Sequence, residues 1–205
     1  MEPLFADEKR RMYEFKTLME PVLHLSPYCL TESLCDDGFF TAPASRKYHG
    51  NYEGGLFDHS FHVTNTLLGL TEDCGLFWQR KESPYIVGMF HDLCKSDLYR
   101  HPEVVQPMRV DGQELRTVDV TQWEHNPEVL LEGRGDKSVM LLSRYFQLTL
   151  EEIMCIRYHM GAFVDRSEWN NYTQAIHAFP NVLWIHHADM IASHILEVDH
   201  EPKRI

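Results

Sequence analysis

The chain has 205 residues, enough for one domain with a sizeable hydrophobic core. Hydrophobic residues make up 43% and charged residues 24%, a globular composition that excludes a largely disordered chain. The 31 acidic and 19 basic residues give a formal net charge of −12, which disfavours long nucleic acids and anionic membranes as partners.

Cysteine usage and hydropathy indicate the compartment. The five cysteines are widely spread and form no Cys-x-x-Cys pair, so neither a disulfide framework nor a structural zinc site is predicted. No stretch reaches the ~18 apolar residues that a membrane-spanning helix requires. We therefore expect a cytoplasmic protein without a membrane segment, and we leave its oligomeric state open.

The first half of the chain is predicted to be helical around one long loop. Helical spacing of apolar residues predicts a helix over residues 8–23, and turn-forming residues predict a loop over 24–55. The glycines of "KYHGNYEGG" at the end of this loop indicate a tight turn with close backbone approach. A one-sided apolar pattern predicts a second helix over 56–70, and the almost wholly apolar segment 83–94 predicts a buried helix.

The segment from about 97 to 133 has a different character. Apolar and polar residues alternate around Asp111-Gly112, a pattern typical of a β-hairpin, so we predict a small hairpin insertion. Its aromatic residues could cap a site and stack on a base, or could equally pack the hairpin onto the helices. These residues are Tyr99, Trp123 and His125.

Helical patterns return in the second half of the chain. They cover residues 136–148, then 150–160 after a capping box that begins at Thr149, and finally 180–197. Together these elements predict an all-α helical bundle with one small β-hairpin. We predict a single domain over residues 1–205, with its core at about 45–197.

Four acidic or imidazole side chains lie inside apolar helical segments: His59, the pair His91-Asp92, and Asp189. An unpaired polar group there would cost roughly 1–3 kcal/mol. A divalent cation with mixed imidazole and carboxylate ligands would offset these costs together. Each residue taken alone has a plainer explanation, because a buried histidine is more often hydrogen-bonded in the core than bound to a metal.

Three motifs together carry a resemblance to a known family. The motifs "YEGGLFDHS", "MFHDLCK" and "HHADMIA" resemble those of the HD-domain metal-dependent phosphohydrolases, an all-α superfamily of nucleotidases, phosphodiesterases and exoribonucleases. The resemblance spans roughly residues 45–195. It implies that Lys95 faces the phosphate and that one divalent transition metal (Mn, Fe, Ni, Co or Zn) is held by His59, His91, Asp92 and Asp189.

A closer resemblance concerns the number of metal ions. "YHGNYEGGLFDHS" and "RYHMG" are similar to motifs of small bacterial and phage HD hydrolases, in which additional histidines can hold a second ion. His159 matches one of these histidines, but "GRGDKS" places Arg134 where the group has the other. Arginine cannot ligate a cation and can bind a phosphate bidentately. We therefore favour one ion while allowing for a second, and a solvated Arg134 is the plain alternative.

The chemistry expected of a bound ion and of a phosphate group predicts further roles in catalysis. Asp92, Lys95 and His159 are the predicted catalytic residues, and Asp92, Glu53 or Asp58 could accept the proton. The predicted substrate-binding residues are Lys95, Arg134, Lys137 and Arg157.

We expect a hydrolase that cleaves a phosphate ester of a small nucleotide through a metal-activated water. The first alternative is a phosphodiesterase acting on short oligonucleotides or cyclic nucleotides, because the segment before His59 also resembles that of HD-domain 3′→5′ exoribonucleases. The second alternative is a non-catalytic nucleotide-binding protein that keeps the fold. Its motivation is the altered "GRGDKS" stretch.

Overall fold

A computed structural model of the chain describes residues 2–26, 29–102, 108–110, 113–115, 122–131 and 133–198. Within these ranges the protein is mostly helical with short antiparallel strand pairs, which confirms the predicted fold class. No helix in these ranges is long and apolar enough to cross a membrane. The α-helices, in chain order, are α1 (Glu8–Leu18), α2 (Glu20–Leu23), α3 (Leu30–Asp36), α4 (Gly55–Asp73), α5 (Ser83–Phe90), α6 (Gly135–Leu142), α7 (Leu150–Tyr158), α8 (Trp169–Ala178) and α9 (Asn181–Ile191).

The predicted insertion contains two strand pairs. Strand β1 (Tyr99–Arg100) pairs antiparallel with β4 (Glu124–His125), and β2 (Met108–Val110) pairs antiparallel with β3 (Gln113–Leu115). The turn predicted at Asp111-Gly112 lies outside the described residues, but the strands on either side of it pair as expected. The β1–β4 pair thus closes the base of the insertion, and the β2–β3 hairpin lies within it.

Phenylalanine rings form the centre of the core. Their ring centroids lie 5.4–6.2 Å apart in edge-to-face and tilted pairs, the arrangement that aromatic quadrupoles favour. The cluster joins α1 and the segment after α3 to α4 and α5, and α4 also packs against α9. Its fully buried members are Phe15, Phe39, Phe40, Phe57 and Phe90.

The structure differs from the predicted helices in several places. Helix α6 ends at Leu142 rather than at residue 148, and α5 ends at Phe90 rather than at residue 94. The single helix predicted over 8–23 is two helices, because Pro21 lacks the amide hydrogen needed to continue α1. Helix α3 lies in a segment predicted as loop, and α8 was not predicted. Burial of Leu30 and Leu34 in α3 shows how tertiary packing stabilises a short helix with a weak local pattern.

The glycine motif before α4 makes room for a buried ion pair. Gly54 has φ +83°, and a Cβ there would collide with the guanidinium of Arg11. Arg11 Nε donates to Asp58 Oδ1 at 2.9 Å, and the other carboxylate oxygen accepts from Tyr52 Oη at 3.0 Å and Leu4 N at 2.8 Å. Asp58 is therefore committed to holding α1 and the N-terminal segment against α4, one residue before His59.

Replacing Arg11 tests this buried pair. Arg11 is 4% and Asp58 1% exposed, so Arg11→Met leaves an uncompensated carboxylate in the core and should cost about 3–5 kcal/mol of unfolding free energy. The neighbouring Arg10→Met, which removes an exposed pair with Glu14, should cost less than about 1 kcal/mol. Urea denaturation measures both, and equal costs would show that the Arg11 pair contributes no more than a surface pair.

Candidate metal centre

The four side chains predicted as metal ligands come from three separate segments and meet at one point. His59 lies near the start of α4, Asp189 lies in α9, and His91 follows the last residue of α5. The backbone leaves the α-helical conformation at Asp92, with φ −107° and ψ 18°. Because α5 ends here rather than at Cys94 as predicted, the side chains of His91 and Asp92 converge instead of diverging around a helix.

The distances within the group suit a single cation. His59 Nε2 lies 3.3 Å from His91 Nε2 and 3.3 Å from Asp189 Oδ1, and it lies 3.8 Å from Asp92 Oδ2. His91 Nε2 lies 3.5 Å from the same Asp92 oxygen. Tetrahedral ligands at ~2.1 Å from an ion stand about 3.4 Å from each other. The donor atoms of His59, His91 and Asp189 all lie within 4.8 Å of one another, so these three residues could hold a metal ion. Asp92 Oδ2 lies within 3.8 Å of both histidine nitrogens and is also bound by Lys95 Nζ at 2.7 Å. We call His59, His91, Asp92 and Asp189 the metal-site group.

Hydrogen bonds from Nδ1 orient the rings of His91 and His159 so that Nε2 faces the metal-site group. His91 Nδ1 donates to Gly88 O at 2.8 Å, and His159 Nδ1 donates to Ile156 O at 2.7 Å. Carbonyl oxygens only accept, so Nδ1 carries the proton in both rings and Nε2 keeps its lone pair when the ring is neutral. Both histidines cap the C-terminal ends of their helices, α5 and α7, where the helix dipole favours positive charge.

The carboxylates draw positive charge into this buried space. Burial opposes a charged His59, but hydrogen bonds with Asp189 and Glu197 outweigh it and raise the His59 pKa to about 10. Burial likewise opposes ionisation of Asp92, yet Lys95 and His91 hold the pKa of this carboxyl well below its usual range. The pKa of Asp189 is also lowered, since its contact with His59 outweighs burial. A proton or a metal ion can supply this positive charge.

His159 provides the clearest sign that the group fits a cation or a transferable proton. Its Nε2 is buried and has no hydrogen-bond partner among the described residues, although Asp92 Oδ1 lies 3.4 Å away. An orphaned buried imidazole nitrogen costs about 1–3 kcal/mol, which a ligand or a shared proton would offset. Mixed imidazole and carboxylate donors suit Mn, Fe, Co, Ni or Zn, so the residues fit the implied metal.

Glu197 is a functional residue that the sequence analysis missed. Its carboxylate accepts from His59 Nδ1 at 3.0–3.1 Å and from His62 Nδ1 at 3.0 Å. It follows a π-helical turn, Ala192–Leu196, closed by a bond from Glu197 N to Ala192 O. A π turn holds an extra residue, which moves the following side chains to a helix face that α-helical periodicity does not predict. The carboxylates of Asp189 and Glu197 thus contact the two ring nitrogens of His59.

His49 joins a second set of close donor atoms. The donor atoms of His49, His59 and Glu197 lie within 4.8 Å of one another. Burial and the positive charges of His59 and Lys95 lower the His49 pKa to about 4, so its ring is neutral at physiological pH. A neutral imidazole ligates through one nitrogen only, so this set and the metal-site group compete for His59.

Lys95 lies beside the metal-site group on its accessible side. Its Nζ is 2.7 Å from Asp92 Oδ2, and this contact outweighs burial and raises the lysine pKa. The side chains of Lys95 and Asp189 are 21% and 16% exposed, whereas His59 and His91 are at most 1% exposed. An incoming molecule therefore meets Lys95 and Asp189 first.

The remaining predicted substrate-binding residues make their contacts outside the metal-site group. Lys137 is buried, with its Nζ 2.5 Å from Asp97 Oδ1, and Arg157 forms ion pairs with Asp136 and Glu168. Arg134 is exposed and shares with Arg157 a pocket of about 290 Å³ to which no member of the metal-site group contributes. Lys95 and His159 thus contact the group, whereas Lys137 and Arg157 are paired with other residues.

Known proteins supply no further evidence about this site. Comparison of the chain with protein-family models, with curated proteins and with solved structures finds no match. The case for a metal centre therefore depends on the side-chain geometry described above.

Substitution of Glu197 tests whether its hydrogen bond orients His59 for metal binding. Glu197→Ala frees the His59 ring to rotate or change tautomer, and we expect Mn²⁺ affinity to fall about 10–100-fold. Glu197→Gln keeps an acceptor oxygen and should give an intermediate loss. Isothermal titration with Mn²⁺ measures both changes.

His62→Ala is the matched control, since it removes the other donor to Glu197 and leaves the His59 contact in place. It should bind Mn²⁺ within about twofold of wild type. If Glu197→Ala binds Mn²⁺ as tightly as wild type, Glu197 does not orient the ligand.

Proposed function

We propose that the protein is an HD-type metal-dependent phosphohydrolase that cleaves a phosphate ester of a small nucleotide. One observation carries the proposal. The four residues that the motif resemblance implies as ligands are spread between positions 59 and 189, yet the donor atoms of His91, Asp92 and Asp189 each lie 3.3–3.8 Å from His59 Nε2. A chance set of core polar residues would not be expected to combine the motif order with ligand spacing.

The surrounding side chains can carry out the other parts of hydrolysis. A bound divalent cation supplies the Lewis acidity that makes water nucleophilic near neutral pH. Lys95 can bind a non-bridging phosphoryl oxygen and stabilise its developing charge. Breaking the ester P–O bond leaves an oxygen that needs a proton, and His159 Nε2 is suited to donate it. Asp92 favours a charged His159, because burial is outweighed by its carboxylate and the His159 pKa rises.

Charge and access favour a small substrate. The net charge of −12 repels a long polyanion, and His59, His91 and Asp92 are buried. Asp58 is bound to Arg11 and Tyr52, and Glu53 is exposed, which leaves Asp92 as the favoured proton acceptor. A phosphodiesterase that acts on short oligonucleotides is the second candidate, supported by the resemblance of the segment before His59.

A substrate screen with ligand variants tests the function. The Mn²⁺-loaded protein should hydrolyse nucleoside mono-, di- or triphosphates in preference to cyclic dinucleotides and short oligonucleotides. His91→Ala and Asp92→Ala should each lose bound Mn²⁺ and lower kcat/KM at least ~100-fold, because both remove a ligand. Metal content is read by inductively coupled plasma mass spectrometry.

His187→Ala is the control for these variants, because His187 lies on α9 near Asp189 but is exposed. It should keep both metal and activity. Hydrolysis of oligonucleotides alone would favour the phosphodiesterase, and activity that survives both His91→Ala and Asp92→Ala would contradict metal-dependent catalysis.

Replacement of Lys95 tests whether this residue acts on the phosphate without contributing to metal binding. Lys95→Ala removes the ammonium that faces the phosphoryl group, and we expect kcat to fall about 10–1,000-fold with Mn²⁺ affinity unchanged or higher. Steady-state kinetics and Mn²⁺ titration measure the two effects. Loss of metal together with activity would show instead that Lys95 supports the ligand Asp92.

A further inference from the structure

A second pocket lies between the loop before α4 and the insertion. Its volume is about 680 Å³, within the range of small-molecule sites. Arg46, Lys47 and Asn51 line it from the loop, and Trp123 and Glu124 line it from the insertion. The pocket thus combines cationic, amide and aromatic groups.

The loop that carries this pocket also touches the metal-site group. The centroid of the His49 ring lies 4.9 Å from that of His59. Hydrogen bonds hold the loop in place: Ser45 Oγ donates to His49 O at 2.8 Å, and Ala44 N donates to Gly50 O at 2.8 Å. Arg46 and Lys47 are therefore held within three residues of a ring in contact with a predicted ligand.

The charge of the pocket is opposite to that of the protein. Arg46 and Lys47 are exposed, and neither forms an ion pair with any residue in the described ranges. Among the described residues that line the pocket, Glu124 is the acidic one, and it is paired with Arg100 Nε at 3.0 Å. In a chain of net charge −12, two uncompensated cations at one pocket create a local attraction for an anion. An arginine and a lysine together are suited to a phosphate.

The aromatic wall suits a nucleobase. Trp123 is half-buried and lines the pocket, and its ring stacks on His101 with centroids 3.9 Å apart and planes inclined by 28°. Aromatic side chains bind bases of any sequence by stacking. Asn51 adds an amide that can bond to a base edge or a ribose.

We propose that this pocket binds the non-reacting part of a nucleotide with at least two phosphates. One phosphate lies on Arg46 and Lys47 and the base lies against Trp123. We assign the second phosphate, the one that reacts, to Lys95 and the metal-site group, and this assignment rests on the proposed function. Binding to the pocket itself does not, because no member of the metal-site group lines it.

Adenosine monophosphate and adenosine are the probes that test the pocket. They are titrated by calorimetry into the 205-residue chain without added metal. Wild type should bind the monophosphate at least about tenfold more tightly than adenosine, because its one phosphate bonds to both cations. The Arg46→Ala/Lys47→Ala double variant should lose this preference, and Trp123→Leu should weaken the binding of both probes about equally.

Two further variants distinguish failure of the pocket proposal from failure of the proposed function. Lys9→Ala/Lys81→Ala makes the same change in net charge at exposed positions outside the pocket and should bind the monophosphate within about twofold of wild type. His91→Ala should also keep this affinity, even though it removes a predicted metal ligand. Equal affinity for the two probes in wild type, or unchanged monophosphate binding in the Arg46→Ala/Lys47→Ala variant, would overturn the pocket. Hydrolysis that survives His91→Ala and Asp92→Ala would overturn the proposed function alone.

Discussion

Three imidazoles and two carboxylates share one almost fully buried space, and the need to compensate them is the constraint on which the rest of the structure depends. Without positive charge, the lone pairs of His59 and His91 would face each other at 3.3 Å beside two desolvated acids. The raised pKa of His59 and the lowered pKa of Asp92 and Asp189 have this common cause. A divalent cation bound between His59, His91 and Asp189 would supply the positive charge that the group requires.

The same type of hydrogen bond orients two of the imidazole rings. His91 and His159 both cap a helix C-terminus and donate Nδ1–H to the carbonyl three residues earlier, at Gly88 and Ile156. Carbonyls at a helix end lack amide partners, so the ring satisfies one of them while Nε2 is turned outward. His59 lies within a helix instead, where the nearby carbonyls are already bonded. It takes Glu197 as its partner, supplied by the π turn after α9.

Buried contacts next to His59 hold this ligand in position. The Arg11–Asp58 pair lies one residue before it, and Gly54 has a positive φ at a place where a side chain would collide with Arg11. The loop that ends at this glycine carries His49 against His59 and presents Arg46 and Lys47 to the second pocket. The glycine at position 54 of "KYHGNYEGG" is therefore explained by close packing.

The sequence by itself determined the helical class, the paired strands of the insertion, and the four buried polar residues, since periodicity and polar residues in apolar helices are local signals. Only the tertiary structure decided that His91 and Asp92 converge, that Glu197 holds His59, and that Lys137 and Arg157 already have acidic partners. Ion pairs and proton positions depend on residues that are close in space rather than in sequence. A single π turn, or a helix that ends four residues before its predicted end, changes which residues become neighbours.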